Sequence, residues 1–319
     1  METLGGSETY CFTVLEALKS LGHNVEYFTF KKGYISSKIE NDLGISFMSK
    51  SKYDLILANH NTTVDQVYKK GFTIQTCHGI YPSLEQPSLN ANAYVSISQE
   101  VQDYLAKLGC PSILIHNSIN LDRFKPITPI NTKLKSILSL CHSSDANQFV
   151  KKICEELDIN YRQAFKYKNP TWHIEDEINK VDMVVGLGRS AYEAMACGRP
   201  VIVYDNRRYF ESCGDGYVKD ILGLSLKNNC SGRYSNIKFD SDSFKTEIEK
   251  YNSNDSFFFR KFAEKELDVN KNIQKYFEYY NFILGHKLKK NREKKIRFLK
   301  KIIGKHLYKI LVNFHRSLK

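Results

Sequence analysis

Apolar residues between Ser7 and Leu21 (Cys11, Phe12, Leu15, Leu18, Leu21) recur at helical spacing, and Gly22-His23 closes the run, so a helix is predicted there. The next segment, Val25 to Phe30, is aromatic and β-branched and reads as a strand. Short apolar runs follow at Leu55 to Ala58, Phe72 to Cys77, Tyr94 to Ile97 and Ile113 to Ile115, separated by polar or helix-like stretches such as Gln99 to Leu108. Buried strands alternating with helices predict a parallel sheet covered on both faces.

Between Asn117 and Thr132 the pattern lapses into NSINLDRFKPITPINT, with two prolines and no period, which marks the expected interdomain linker. The alternation then restarts: strand Ser136 to Cys141, helix Ala146 to Leu157, strand Tyr161 to Phe165, helix Ile174 to Lys180, strand Asp182 to Val185, helix Ser190 to Cys197, strand Pro200 to Tyr204. The expected fold is α/β: two Rossmann-like domains facing a central cleft, where such sheets bind ligands beyond the carboxyl ends of their strands. Residues 1–125 form the expected first domain, 126–255 the second and 256–285 one or two closing helices. A basic amphipathic helix is expected over 286–319, with Ile296, Leu299, Ile303, Leu307, Ile310 and Phe314 three or four residues apart.

Composition changes little of this picture. A chain of 319 residues, 42% hydrophobic and 26% charged, is ordinary for two globular domains and has no apolar run of bilayer length. No basic and apolar leader pattern opens it, so the expected address is cytoplasmic. The eight cysteines include no C-x-x-C pair and read as buried free thiols. The formal charge of +12 is local: residues 286–319 carry ten Lys and three Arg against Glu293, which leaves 34 basic and 34 acidic residues in the body. Nucleic-acid binding by the body thereby loses its support.

Candidate chemistry concentrates in VDMVVGLGRSAYEAMACGRPVIVYD, Val181 to Asp205. A buried strand runs into Gly186-Leu187-Gly188 and a helix opens at once, offering unpaired amides and a positive dipole end to a diphosphate, with Arg189 adding a charge. Ser190 and Glu193 equally fit a capping box, a purely structural role.

The run Tyr192 to Val203, with Gly5-Gly6-Ser7-Glu8 and Leu21-Gly22-His23-Asn24-Val25, resembles the GT-B glycosyltransferases of the family 4 type. Further matches follow in order: Thr76-Cys77-His78-Gly79, Val95 to Val101, Asn117 to Asn120, Arg123-Phe124 with Pro126, and Glu211 with Asp215-Gly216 as a helix and turn. The resemblance implies a donor site in which Glu193 accepts hydrogen bonds from the nucleotide ribose. In it, amides around Gly188, Arg189, Ser190 and Ala191 hold the diphosphate, and Gly5 and Gly6 approach the donor from the first domain. His78 would stand near the transferred sugar, although packing alone also accounts for it, and the dipole alone accounts for Glu8.

Three departures qualify the resemblance. The family's second glutamate, eight residues before Glu193, is Val185 here. The Arg and Lys that grip phosphate after the first strand of the second domain are replaced by Leu140 to Asn147, which holds neither, so Arg189 is expected to compensate. Only Met1 to Leu4 precede Gly5, where the family has a central strand, and the expectation is a truncated or misassigned start.

The expected function is transfer of a sugar from a nucleotide-sugar donor to a hydroxyl acceptor, with retention of configuration as the resemblance implies, in cell-envelope polysaccharide or glycolipid synthesis. No metal motif is present, and no cofactor is expected beyond the nucleotide sugar as substrate. The expected partners are a glycan or lipid-linked acceptor and, through residues 286–319, an anionic membrane surface that would make the protein peripheral on the cytoplasmic face. A solvated tail is the plainer alternative. Two other functions stay open: a sugar-nucleotide epimerase of the same architecture, and a non-catalytic nucleotide-binding remnant.

Overall fold

Short apolar segments too brief for helices do become buried parallel strands in the computed structural model, which describes residues 1, 5–164, 171–207, 212–286 and 294. In chain order the first half comprises α1 (Gly6–Ser20), β1 (Glu26–Tyr27), α2 (Tyr34–Asn41), β2 (Ser46–Phe47), β3 (Tyr53–Ala58), α3 (Asn61–Val67), β4 (Gly71–Cys77), β5 (Ala93–Ser96), α4 (Gln99–Lys107) and β6 (Ser112–Leu114). The second half comprises β7 (Ser136–Ser139), α5 (Ser144–Glu156), β8 (Asn160–Gln163), α6 (Ile174–Asn179), β9 (Met183–Gly186), α7 (Arg189–Ala196), β10 (Val201–Arg207), β11 (Ser212–Tyr217), α8 (Leu222–Ser225), α9 (Ser241–Glu249) and α10 (Asp255–Glu266). Residues 269–286 are helical again. By internal contacts the chain divides into Met1–Ile273 and Gln274–Lys319, the latter helical over 274–286. The expected basic amphipathic helix lies outside the described residues apart from His286 and Lys294.

Strands β3, β4, β5 and β6 form one all-parallel sheet in that order, and β1 pairs with β2 in a separate parallel ribbon. The strand expected over Val25 to Phe30 shrinks to two residues because its partner β2 offers only two. Beyond them Phe28 and Phe30 pack edge to face, and Glu26 accepts from Ser49 N at 2.7 Å and from the Tyr53 hydroxyl. The second sheet has the order β11-β10-β9-β7-β8, parallel except for β11. Its central strand β9 is buried throughout, as its uninterrupted Met183-Val184-Val185 run demands.

Strand β11 corrects one expectation. Asp215 and Gly216 lie in an antiparallel edge strand and not in a helix and turn, while Glu211 lies outside the described residues. Bulges in the pairing and the left-handed Gly216 (φ 76°) let a polar, glycine-rich segment follow β10, and the Asp215 carboxylate ties it to Ser225 Oγ (2.5 Å) and Ser235 N (2.9 Å).

The segment joining β6 to β7 is stitched onto the second half. The fully buried guanidinium of Arg199 donates to Thr128 O, Asn179 O, Ile178 O and Cys197 O, and Ile127 N donates to Asn179 Oδ1. Asp182 accepts from Asn131 N and Nδ2, Lys135 N, Ser136 N and Ser136 Oγ. Burial pushes this carboxyl up, but the hydrogen bonds outweigh it and leave the pKa below its usual 3.8. Asp182→Asn would turn an amide donor toward donors, so urea denaturation should show a loss of about 2–3 kcal/mol with unchanged slope. Because the native carboxylate titrates below the unfolded one, that difference should be complete above pH 3.8 and shrink as pH falls further.

Candidate functional site

The carboxyl ends of both sheets empty into one cleft of about 630 Å³. From the first half it takes Gly5 and Gly6 at the start of α1, His78 and Gly79 after β4, Ile97 and Ser98 after β5, and Asn117 after β6. From the second half it takes Leu140, His142 and Ser143 after β7, the turn Leu187 to Ser190 after β9, Glu193 on α7, and Asn206 and Arg207 at the end of β10. The crossover leaving β7 runs to β8 on one side and the crossover leaving β9 runs to β10 on the other, so the crevice between β7 and β9 is a topological switch point.

Of the residues singled out in the sequence, Gly5, Gly6, His78, Gly188, Arg189, Ser190 and Glu193 line this one cleft. Ala191 does not: it is fully buried behind them on α7. Val185 is likewise fully buried inside β9. Gly188 stands at φ 55°, where a side chain would be strained, and donates its N–H to Cys230 O at 2.8 Å. A Cβ on Gly5 would meet the tip of the Glu8 side chain 2.2 Å away, a contact that rotation of that flexible carboxylate relieves.

Two readings of the α7 start are corrected. Ser190 is not an N-cap: the helix begins at Arg189 after Gly188, no side chain caps it, and Glu193 turns to Arg189 instead of the helix end. Nor is Arg189 spare charge. Its Nε donates to Glu193 Oε1 (2.8 Å), Nη1 to Ser118 O (2.9 Å) and Nη2 to Thr13 Oγ1 (3.0 Å), so the guanidinium ties α7 to α1 and to the segment after β6. Burial pushes the Arg189 pKa down and that of Glu193 up, each opposed by the other's charge.

His78 packs edge-on against Tyr10, ring centroids 4.8 Å apart, with Nε2 3.2 Å from Asn59 Oδ1. With a carbonyl acceptor there, Nε2 carries the proton. Burial, with His60 and Arg189 nearby, holds the imidazole down to about 3, so it enters the cleft neutral.

Glu85 and Asn229 had no signal in the sequence, whereas Glu100 and Arg123 fall in matched runs without an assigned role. Glu85, in the turn Pro82 to Pro87, lies against Gly79, and burial raises its carboxyl to about 7. Asn229, in the left-handed region that Asn tolerates, accepts from Tyr192 OH (3.0 Å) and Asn117 Nδ2 (3.3 Å). Glu100 on α4 pairs with Arg233 and accepts from Asn228 Nδ2 (3.0 Å), another tie between the halves. Arg123 forms a two-pronged pair with Glu175 and lies over the Trp172 ring at 4.7 Å.

All eight thiols are free. Among the described residues, no His, Cys, Asp or Glu cluster could hold a metal, and no helix is long and apolar enough to cross a membrane.

No protein-family model matches the chain. No curated protein is similar to it. Among solved structures it is similar to a chain described as "Crystal structure of GtfA/B complex", at 12% identity and a TM-score of 0.45, over 80% of this chain and 62% of that one. The chain thus spans less than two thirds of that neighbour's length.

Arg189→Met leaves Glu193 buried without its partner and should destabilise by about 3–5 kcal/mol. Arg189→Met/Glu193→Met should recover part of that loss; equal urea midpoints for the single and double variants would show that the pair is not coupled. Glu85 titrates above its unfolded value of about 4.5, so its burden on stability is absent below that pH and grows until about pH 7. Glu85→Gln should therefore raise the melting temperature at pH 8, by the equivalent of about 1–3 kcal/mol, and leave it unchanged at pH 4.

Proposed function

We propose that this protein is a GT-B glycosyltransferase that moves a sugar from a nucleotide-sugar donor to a hydroxyl acceptor. In this reading residues 1–125 are the acceptor-side domain and 126–255 the donor-binding domain. The observation that carries the proposal is the convergence on one cleft of the Gly5-Gly6 loop, His78, the Leu187 to Ser190 turn and Glu193. The first-turn amides of α7 take the diphosphate, whose developing charge must be stabilised as it leaves. Glu193, held at the cleft wall by Arg189, accepts from the ribose hydroxyls. His78, neutral and with its Nε2–H given to Asn59, offers its other ring nitrogen as an acceptor to a hydroxyl of the transferred sugar. Retention of configuration, a lipid-linked or glycan acceptor, and membrane attachment through residues 286–319 extend the same proposal.

One observation favours a second reading, a nucleotide-binding remnant without turnover. Val185 occupies the sugar-contacting glutamate position and is sealed inside β9, so that contact has no substitute at its own place.

Thermal melting against UDP-, GDP- and ADP-sugars, followed by a donor-hydrolysis assay, separates the readings. Transfer predicts stabilisation by at least one donor with turnover, and Glu193→Gln should weaken donor binding about tenfold, or about 1.4 kcal/mol. Stabilisation without turnover supports the remnant, and no response to any nucleotide sugar or nucleotide would remove both.

A further inference from the structure

A diphosphate in the cleft needs a cation with donors to give, and the cleft arginines differ sharply in this respect. Arg189 has all three nitrogens engaged, by Glu193, Ser118 and Thr13. Arg123 gives Nε and Nη2 to Glu175, and Arg233 is paired with Glu100. Arg207, at the end of β10, gives only Nε, to Asp205 Oδ2 at 2.8 Å, so among the described residues the rest of its five-donor fork is uncommitted. Its side chain is 17% exposed and lines the cleft.

What holds Arg207 there is built with care. Strand β9 stops at Gly186, and beyond that point β10 and the segment after β7 close over its end, with Cys141 Sγ reaching Tyr204 O at 3.3 Å. A Cβ on Gly186 would stand 3.3 Å from Ser190 Cβ and 3.4 Å from Leu140 Cβ, so the glycine keeps this closure tight. Asp205, fully buried, spans the gap: it accepts from His142 N (2.9 Å), Ser143 N (3.1 Å) and Asn206 N (2.9 Å) besides Arg207. Three backbone donors absorb the carboxylate charge, and the arginine it orients fronts the cleft beside a segment, Leu140 to Asn147, that contains no Lys or Arg.

We infer that Arg207, braced by Asp205, is the residue that grips the diphosphate of the nucleotide in this cleft. The inference rests on the donor-site reading above and assigns its phosphate contact to β10, not to Arg189. Arg207 is a binding residue here: a planar fork held at Nε presents its two Nη edges to phosphate oxygens.

Calorimetric titration of the full chain with UDP, GDP and ADP tests this, followed by the monophosphate and nucleoside of whichever binds best. Arg207→Gln should weaken the diphosphate about 10- to 100-fold while nucleoside affinity stays within about twofold. Arg207→Lys, which keeps the charge and loses the fork, should fall between. If Arg207→Gln leaves diphosphate affinity unchanged, or weakens the nucleoside equally, the inference is overturned while the donor site stands. If wild type binds none of the three diphosphates, the donor-site reading fails and takes Arg207 with it. Melting curves of both variants within a few degrees of wild type confirm that the brace, and not the fold, is being read.

Discussion

The cleft depends on a desolvated guanidinium. Arg189, on α7, ties that helix to α1 and to the segment after β6, through Glu193, Thr13 and Ser118. A buried arginine is tolerable only when its donors are met and an opposite charge is close, and here both conditions are satisfied by groups from different parts of the chain. The consequence is positional. Glu193 is held toward the cleft wall instead of reaching back to the helix end, and α7 starts where Gly188 can adopt a positive φ.

A second constraint meets it at the same corner. Because β9 is shorter than its neighbour β10, the chain on either side can close over Gly186, and Asp205 fastens that closure with bonds to three amides. The same short strand makes room for the turn into α7. A single stop in a parallel strand thus yields a helix start, a carboxylate brace and an oriented arginine within one crevice.

The sheet-forming runs and the junction from β9 to α7 were legible because each is a local pattern: apolar continuity, glycine before a helix. The capping box at Ser190 and Glu193 misled for an equally local reason. Spacing alone cannot tell a helix that begins at Ser190 from one that begins a residue earlier, where an i,i+4 pair of Arg189 with Glu193 competes for the carboxylate. Strand β11 was hidden by its composition, since Ser-Cys-Gly-Asp-Gly has no strand period and is held by bulged pairing with β10. Glu85 and Arg207 were invisible because their importance lies in burial and in partners distant along the chain.

Charge in this molecule works by local pairing and not by overall field. The body carries 34 basic and 34 acidic residues, and the cleft follows suit: Arg123 with Glu175, Arg189 with Glu193, Arg233 with Glu100, Arg207 with Asp205. His78 is held neutral, and the Glu85 carboxyl titrates only near 7. A crevice so balanced has little long-range pull on a polyanion. It can still bind a small dianion tightly, provided a few donors are fixed in place before the ligand arrives, because preorganised donors in a partly dry cleft need no rearrangement on binding. The pairs are therefore the means by which arginines are kept rigid, and among the described cleft arginines Arg207, bonded only through Nε, keeps the most donors for a ligand.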